Sequence, residues 1–232
     1  MQPVEPTPAS KGITPRRLAR LRGTLARRQP DLAIVVEDVH DPHNVSAMLR
    51  SCDAVGVGGV HLVYTAEELP EINRVVSASA QRWLALRQHA DISVCYAALR
   101  AQGLTIYATQ LSAAAVELYE LDLTRPCAFV FGNESRGVSA AAAAGADAAV
   151  RIPMLGMVES LNVSVACSVT LYETLRQRRV AGLYAAARLP AAELAAQLRA
   201  WLEREGRDPH IAAAPGDEAI PPARNRYERR VE

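Results

Sequence analysis

The chain has 232 residues, of which 50% are hydrophobic and 22% charged, with 26 basic and 25 acidic side chains. This composition is typical of a globular protein and excludes a chain that is disordered throughout. The sequence contains neither an apolar run long enough to span a membrane nor a signal-peptide core, so we predict a cytoplasmic protein without membrane contact.

The four cysteines stand far apart in apolar stretches and form no C-x-x-C pair. Such spacing gives no disulfide framework, and neither the cysteines nor the five histidines show the spacing of metal ligands. We therefore predict no metal site and four reduced, buried thiols, those of Cys52, Cys95, Cys127 and Cys167.

Positive charge is concentrated near the N-terminus. Residues 6–30 contain seven basic side chains and no acid. Such a segment is typical of a phosphate-binding surface, because cations placed on phosphates release counterions. A solvated helix in an arginine-rich protein would have the same composition, so charge alone leaves both interpretations open.

The elements follow one another in a regular alternation. Residues 1–13 are predicted to be disordered, and Thr14 and Pro15 then begin a basic helical arm that ends near residue 30. Short apolar runs predict buried strands at 32–36, 60–64, 83–87, 104–109, 127–131 and 149–152. Helical windows lie at 44–55, 92–102, 139–144, 161–180 and 191–205. This order predicts an α/β fold with a largely parallel sheet and helices on both faces, followed by a poorly ordered tail from residue 206.

The common nucleotide-binding loops are absent from the sequence. The only lysine, Lys11, lies in the basic arm, so no P-loop lysine exists. Gly56, Gly58 and Gly59 precede a strand instead of following one, and we interpret Gly58 and Gly59 as a helix-to-strand turn. No nucleophile elbow for Ser-His-Asp catalysis occurs either.

Three polar segments stand close to the ends of predicted strands, where open α/β sheets place their sites. In residues 40–50, Asn44 is either a helix cap or a site residue, and Arg50 lies in a helix predicted to be mostly buried, where it needs an anionic partner. Residues 129–139 run from a strand into Gly132, turn at Gly137 and cap a helix with Ser139.

The third segment, residues 152–164, joins an apolar loop to a long helix, with Ser160 and Asn162 near the free backbone N–H groups of the helix start. A loop with two methionines, a leucine and an isoleucine suits an adenine and a sulfonium methyl group. The same loop would also suit simple packing on the core.

These segments together resemble a known family. The patterns N-x-x-A-x-x-R at 44–50, G-N-E-x-x-G-V at 132–138 and I-P-M-x-G-x-x-x-S-L-N-V-S at 152–164 are similar to the three motifs of the SpoU class of SPOUT RNA 2′-O-methyltransferases, in the same order and spacing. The similarity covers about residues 14–185. Further identities near His40 and at 25–32 and 181–184 resemble the branch that methylates a guanosine ribose in the tRNA D-loop.

The resemblance implies a SPOUT catalytic domain over residues 31–185 with a C-terminal trefoil knot, a helix at 186–205, a homodimer and S-adenosylmethionine as methyl donor. It implies a catalytic set of Arg50, Asn44, Glu134, Ser160 and Asn162. The donor would be bound by Thr109, Leu111, Gly132, Ile152, Met154, Leu155, Gly156, Ser160 and Leu161.

The predicted partner is tRNA, whose backbone would be held by Arg16, Arg17, Arg20, Arg27, Arg28, Arg176 and Arg178. Two alternatives remain at the level of sequence: methylation of another RNA, such as ribosomal RNA, or an RNA-binding homologue without catalysis. The intact Arg50, Glu134 and Asn162 argue against an inactive homologue, and an arm fused directly to the catalytic domain favours tRNA.

Overall fold

The chain was analysed as a computed structural model that describes residues 12–70 and 80–213. Its described residues divide into two compact units, one formed by residues 28–185 and the other by residues 12–27 and 186–213. Residues 1–11 of the N-terminus predicted to be disordered and residues 214–232 of the tail predicted from residue 206 lie outside this described part. The start of that tail is ordered, because Pro209–Ala213 forms a short 3₁₀ helix.

The larger unit is built around a parallel sheet. Its strands are β1 Gln29–Glu37, β2 Val57–Val63, β3 Leu86–His89, β4 Thr105–Thr109, β5 Val116–Glu117, β6 Cys127–Phe131 and β7 Ala148–Arg151. They lie in the order β3-β2-β1-β6-β4-β7-β5, and every pairing between neighbours is parallel. The helices of this unit are α2 Pro42–Val55, α3 Ile92–Arg100, α4 Ala140–Gly145 and α5 Val163–Val180, with α1 and α6 belonging to the smaller unit.

Helices cover both faces of the sheet, as predicted. Successive residues of β1 alternate between two separate cores: Ile34 packs with Met48 of α2 and Leu171 of α5, whereas Val35 packs with Leu99 of α3. A strand buried on both faces has no polar alternation, because side chains of both parities face apolar helices. The continuous apolar runs of the sequence follow from this arrangement, and all four cysteines are buried and free as predicted.

The structure decides one open alternative and corrects one prediction. The cap of α2 is Asp41, whose carboxylate accepts from the His43 N–H, and Pro42 fills the first helical position, so Asn44 lies inside the first turn. The turn between α2 and β2 is made by Gly56 in the left-handed region (φ 85°), while Gly58 is part of β2. A Cβ at Gly58 would lie 2.4 Å from the Gln29 carbonyl oxygen, so close strand packing explains that glycine.

The smaller unit pairs the two ends of the described chain. In α1, Pro15–Ala26, the predicted N-cap Thr14 and the first-turn Pro15 are confirmed. Its buried Leu21 and Leu25 belong to a helix that packs on α6, Ala191–Arg204. Arg17 pairs with Glu205, and a short 3₁₀ helix at Pro209–Ala213 also packs on α6.

Candidate active site

The three motifs meet at one edge of the sheet. They begin after β1, β6 and β7, and the loop that starts at Gln110 follows β4. In the sheet order these four strands are consecutive neighbours, β1-β6-β4-β7, so their carboxyl ends lie side by side. This is the edge at which open α/β sheets bind ligands.

A cavity of about 710 Å³ opens between the loops after β4, β6 and β7, a volume within the range of small-molecule sites. It is lined by the residues predicted to bind the methyl donor, except Leu155 and Gly156, and by three of the predicted catalytic residues, Glu134, Ser160 and Asn162. The Leu155 side chain is fully exposed at 101%, so it does not form a wall of this cavity.

Sequence analysis missed part of the lining. The additional residues come from the ends of β6 and β7, from the loops that follow β4 and β6, and from the start of α5: Gln110, Ser112, Phe131, Asn133, Ser135, Arg136, Gly137, Val138, Val150, Arg151, Val163, Ala166 and Thr170. Most of them are neighbours of motif residues, so they could have been included by extending each motif along its loop. Thr170 is an exception, because only the helical period of α5 brings it back to the cavity.

The loop after β6 folds back on itself. Asn133 and Gly137 exchange backbone hydrogen bonds of 3.0 and 2.8 Å, and Gly137 has φ 69°. A Cβ at Gly132 would lie 2.2 Å from the Gly137 carbonyl carbon, so no other residue fits there without a backbone shift. The first glycine of this motif is therefore required by the tight turn itself.

Glu134 joins this turn to the loop after β1. Its carboxylate accepts from the backbone N–H groups of His40 (3.0 Å) and Asp41 (3.1 Å) and from Nδ2 of Asn44 (2.9 Å). Burial alone would raise the pKa of Glu134, but the hydrogen bonds from Asn44 and from the backbone outweigh burial and hold the pKa below its usual value. The carboxylate is thus ionised, and both of its oxygens accept hydrogen bonds.

Asn44 connects the second motif to the third. Its Oδ1 accepts from Nδ2 of Asn162 (3.1 Å), while Asn162 caps α5 by accepting from the Ser164 N–H (2.9 Å). The side chains of Glu134, Asn44 and Asn162 form a continuous hydrogen-bonded chain across all three motifs. This chain fixes the relative positions of the loops that surround the cavity.

Asp38 also stabilises this region, although no sequence pattern indicated a role for this residue. It is buried with φ 49°, the only non-glycine residue with positive φ in the described chain. Its Oδ1 accepts from the N–H groups of Thr65, Ala66 and Glu67, and its carbonyl oxygen accepts from Nδ2 of Asn133 (2.9 Å). Asp38 therefore ties the loop after β2 to the loop after β6.

Arg50 lies elsewhere. The helix was predicted to bury it, but Arg50 is exposed, does not line the cavity, and makes no hydrogen bond or ion pair with any residue that the structure describes. It stands six residues beyond Asn44, about 9 Å along the helix axis. The prediction of a buried, anion-paired arginine in one chain was wrong, because the exposed stripe of α2 contains position 50.

Two of the arginines predicted to contact RNA are buried in the structure. Arg28 is buried and pairs with Asp53 at 2.5 Å, and Arg178 is fully buried and pairs with Asp31 at 2.7 Å. Buried guanidinium groups that are satisfied by internal partners are not available to phosphates, so both predictions are corrected. Arg16 and Arg20 are exposed on α1, and Arg176 is 64% exposed on α5.

Comparison with known proteins identifies the family of this chain. A profile described as the SpoU rRNA methylase family matches residues 31–172. The chain belongs to this SpoU family. A tRNA (guanosine(18)-2′-O)-methyltransferase of Thermus thermophilus is 47% identical over 191 residues, which cover 82% of this chain and 98% of that protein.

Solved SpoU structures share the fold. The TrmH/SpoU tRNA modifying enzyme of Aquifex aeolicus superposes with a TM-score of 0.78 at 36% identity, covering 82% of this chain and 96% of that one. The SpoU methyltransferase AviRb of Streptomyces viridochromogenes, solved in complex with AdoMet, gives a TM-score of 0.59 at 25% identity and covers 64% of this chain and 60% of that one. Among the described helices of this SpoU protein, none is both long and apolar enough to cross a membrane.

Proposed function

We propose that this protein transfers a methyl group from S-adenosylmethionine to the ribose 2′-oxygen of guanosine 18 in the D-loop of tRNA. The observation that carries the proposal is the hydrogen-bonded chain of Glu134, Asn44 and Asn162, which joins all three motifs beside a single cavity. The relative from Thermus thermophilus, matched over nearly its whole length, supports guanosine 18 as the target.

The cavity fits the methyl donor. Its walls combine apolar groups, including Ile152, Met154 and Leu161, with backbone polar groups of the loops after β4, β6 and β7. Such a mixture suits an adenine ring, a ribose and an amino-acid tail. When bound, S-adenosylmethionine supplies a methyl group activated by the positive charge on sulfur. The knotted chain path that the family implies would hold these loops around it.

Glu134 is a positioning residue in this proposal and does not accept the proton. Both of its oxygens already accept hydrogen bonds, and its lowered pKa makes the carboxylate a weak base. Arg50 is equally unsuited as a base, because a guanidinium is protonated at all physiological pH values. We assign Arg50 to a bidentate contact with the adjacent phosphate, which lowers the pKa of the 2′-hydroxyl and leaves its proton to phosphate or water.

A second copy of the chain would bring Arg50 to the reaction. Exposed apolar side chains cluster after β7 and on α5: Leu155, Met157, Val158, Val165 and Tyr172. Arg50 lies beside this surface, because its neighbour Ser51 contacts Ser168 of α5 at 2.8 Å, between Val165 and Tyr172 in sequence. Apolar patches of this kind mark interfaces. We propose a homodimer in which Arg50 reaches the cavity of the partner subunit.

The exposed arginines of α1 and Arg176 would hold the tRNA backbone. We propose a cytoplasmic location, where a tRNA substrate is found. The central test is incubation with labelled S-adenosylmethionine and an unmodified tRNA transcript, followed by mass-spectrometric mapping of the methylated ribose. We expect methylation of guanosine 18 and none on a transcript with 2′-deoxyguanosine there. Methylation of a ribosomal RNA fragment instead would favour the alternative that the family description allows.

The position of Arg50 has its own test. We expect Arg50→Ala and Asn162→Ala each to reduce kcat/KM by about a hundredfold or more, since each removes a group that aligns the reactants. Co-expressed as a mixed dimer, the two variants would form one intact site and recover measurable activity. No recovery in a mixed dimer whose formation is verified would show that Arg50 does not act across the interface.

A further inference from the structure

An internal carboxylate bridges an arginine and a histidine at the rim of the cavity. Oε1 of Glu67 accepts from a guanidinium nitrogen of Arg136 at 2.8 Å, and Oε2 lies 3.1 Å from Nδ1 of His40. Arg136 lines the cavity, and the backbone N–H of His40 donates to the site residue Glu134. The bridge therefore joins the loops of the first two motifs beside the cavity.

The position of Glu67 is fixed by the backbone. Asp38 accepts hydrogen bonds from the N–H groups of Thr65, Ala66 and Glu67 at 2.8, 3.1 and 3.1 Å, which hold the loop after β2 against the site. The side chain of Glu67 is only 22% exposed, whereas those of Arg136 and His40 are 58% and 76% exposed. The anion is thus held in place, and the more exposed Arg136 and His40 side chains can turn away from it.

The chemistry of the bridge matches that of a phosphate site. A carboxylate and a phosphodiester each present two oxygens to a guanidinium, and arginine binds both in the same fork geometry. Hydrogen bonds from Arg136 and then His40 lower the pKa of Glu67, so the internal anion stays charged at neutral pH. A polyanionic substrate that approaches the cavity meets a guanidinium and an imidazole that are already engaged by this anion.

We propose that Arg136 and His40 form a phosphate-binding subsite for the RNA strand next to the methylated nucleotide, which the Glu67 carboxylate occupies in the free protein and the RNA phosphate displaces. The inference rests on the proposed RNA substrate. Glu67 then acts as a competing internal anion that weakens binding to any strand unable to place a phosphate at this point. Arg136 occupies one of the two unspecified positions of the second motif, G-N-E-x-x-G-V. A residue that gives this chain its own specificity is expected at such a position.

The test measures the affinity for a tRNA transcript by fluorescence anisotropy over a range of salt concentrations, together with KM and kcat. Glu67→Gln removes the anion, and Glu68→Gln is its matched control, because Glu68 is the adjacent exposed acid and forms no hydrogen bond or ion pair with a described residue. We expect Glu67→Gln to tighten tRNA binding and lower KM by about two- to fivefold, the usual range for an exposed ion pair. Glu68→Gln changes the net charge equally and should have a smaller effect.

The complementary variant is Arg136→Ala, with Arg125→Ala as control. Arg125 is 81% exposed, pairs with Asp122, and lies at the opposite edge of the sheet, before β6. We expect Arg136→Ala to weaken binding about fivefold and to reduce the slope of log affinity against log salt by about one. Glu67→Gln added to Arg136→Ala should lose most of its tightening effect, because the cation that it frees is gone.

Equal effects of Glu67→Gln and Glu68→Gln, or an unchanged salt slope in Arg136→Ala, would overturn the subsite. Binding is measured independently of turnover, so a wild-type protein that binds tRNA without methylating it would refute the proposed function while the variants still decide the subsite. A wild-type protein that does not bind RNA would refute both.

Discussion

His61 is a buried histidine whose pKa is shifted strongly by its environment. It lies in β2 with 1% exposure, its Nδ1 is 2.8 Å from Nε2 of His89, and its Nε2 is buried without a hydrogen-bond partner among the described residues. Burial, and then the nearby His89 and Arg87, lower the pKa of His61 from 6.5 to about 4. The imidazole is therefore neutral in the folded protein over the physiological range.

This shift makes stability depend on pH in a defined direction. Because the pKa is lower in the folded state, the unfolded chain binds more protons between pH 4 and 6.5, and the contribution of neutral His61 is lost as pH falls through that window. We expect urea denaturation to show a loss on the order of 2 kcal/mol from this residue between pH 7 and pH 4. His61→Gln should flatten the profile, while His210→Gln, a change in the smaller unit, should not.

The sequence indicated residues of the site, but it did not indicate the groups with which those residues form hydrogen bonds. The positions of polar segments after strands indicated the three loops, because strand ends gather at one edge of a parallel sheet, and the family resemblance selected Asn44, Glu134 and Asn162 within them. Whether Asn44 or Asp41 caps α2 depends on where Pro42 starts the helix, and the support by Asp38 depends on a left-handed backbone conformation. Neither is visible in a pattern of apolar and polar residues.

The helix α5 shows that neighbouring arginines can have unrelated roles. Residues two apart on a helix point in different directions, so Arg176 faces outward and pairs with Glu173, whereas Arg178 faces the core. Arg178 donates to the carbonyl oxygens of Leu123 and Arg125 and to the carboxylate of Asp31. It joins α5 to β1 and to the segment before β6.

Substitution of these two arginines should separate stability from RNA affinity. We expect Arg178→Ala to lower the free energy of unfolding by about 3–5 kcal/mol, because it removes a buried guanidinium that pairs with the Asp31 carboxylate and donates to two carbonyl oxygens. Arg176→Ala should change stability little, because an exposed ion pair contributes little, and should weaken tRNA binding instead. Urea denaturation and anisotropy on the same samples check both. A large loss of stability in Arg176→Ala would contradict this division.

At the level of elements, the sequence predicted long and apolar features well and short ones poorly. The strand at Cys127–Phe131 was predicted with its correct bounds, because a buried parallel strand is a continuous apolar run. The two-residue strand β5 and the assignment of Gly58 to β2 escaped prediction, since backbone pairing to a neighbour, and not composition, decides them. The exposed side of α2 was also not predicted, because several small side chains on that side carry no clear signal of polarity.

The molecule as a whole consists of two units, and the sequence of the larger unit is inserted between the two segments of the smaller one. The smaller unit joins segments from both ends of the chain, and no local pattern indicates that α1 and α6 pack together. The boundary falls after Arg27, so Arg28 and its ion pair with Asp53 belong to the larger unit. The basic arm of the sequence thus divides into an exposed part and a buried end.

Removal of the smaller unit should separate RNA binding from donor binding. We expect a chain of residues 28–185 to bind S-adenosylmethionine with the affinity of the full protein, because every residue that lines the cavity is retained. Its affinity for tRNA should fall by at least about tenfold with a shallower salt dependence, since the cations of α1 are gone. Calorimetry and anisotropy measure the two affinities, and Arg16→Ala with Arg20→Ala in the full chain is the matched charge control. Equal loss of both affinities would contradict the separation.

The order of strands also determines when the cavity can exist during synthesis. β4 precedes β6 and β7 in the chain yet lies between them in the sheet, and the last residue of the lining is Thr170. A nascent chain that has not emerged beyond that residue lacks a wall of the pocket, and such non-local pairings form slowly. Methyl-donor binding therefore reports that the larger unit has completed folding, since no earlier fragment contains the whole site.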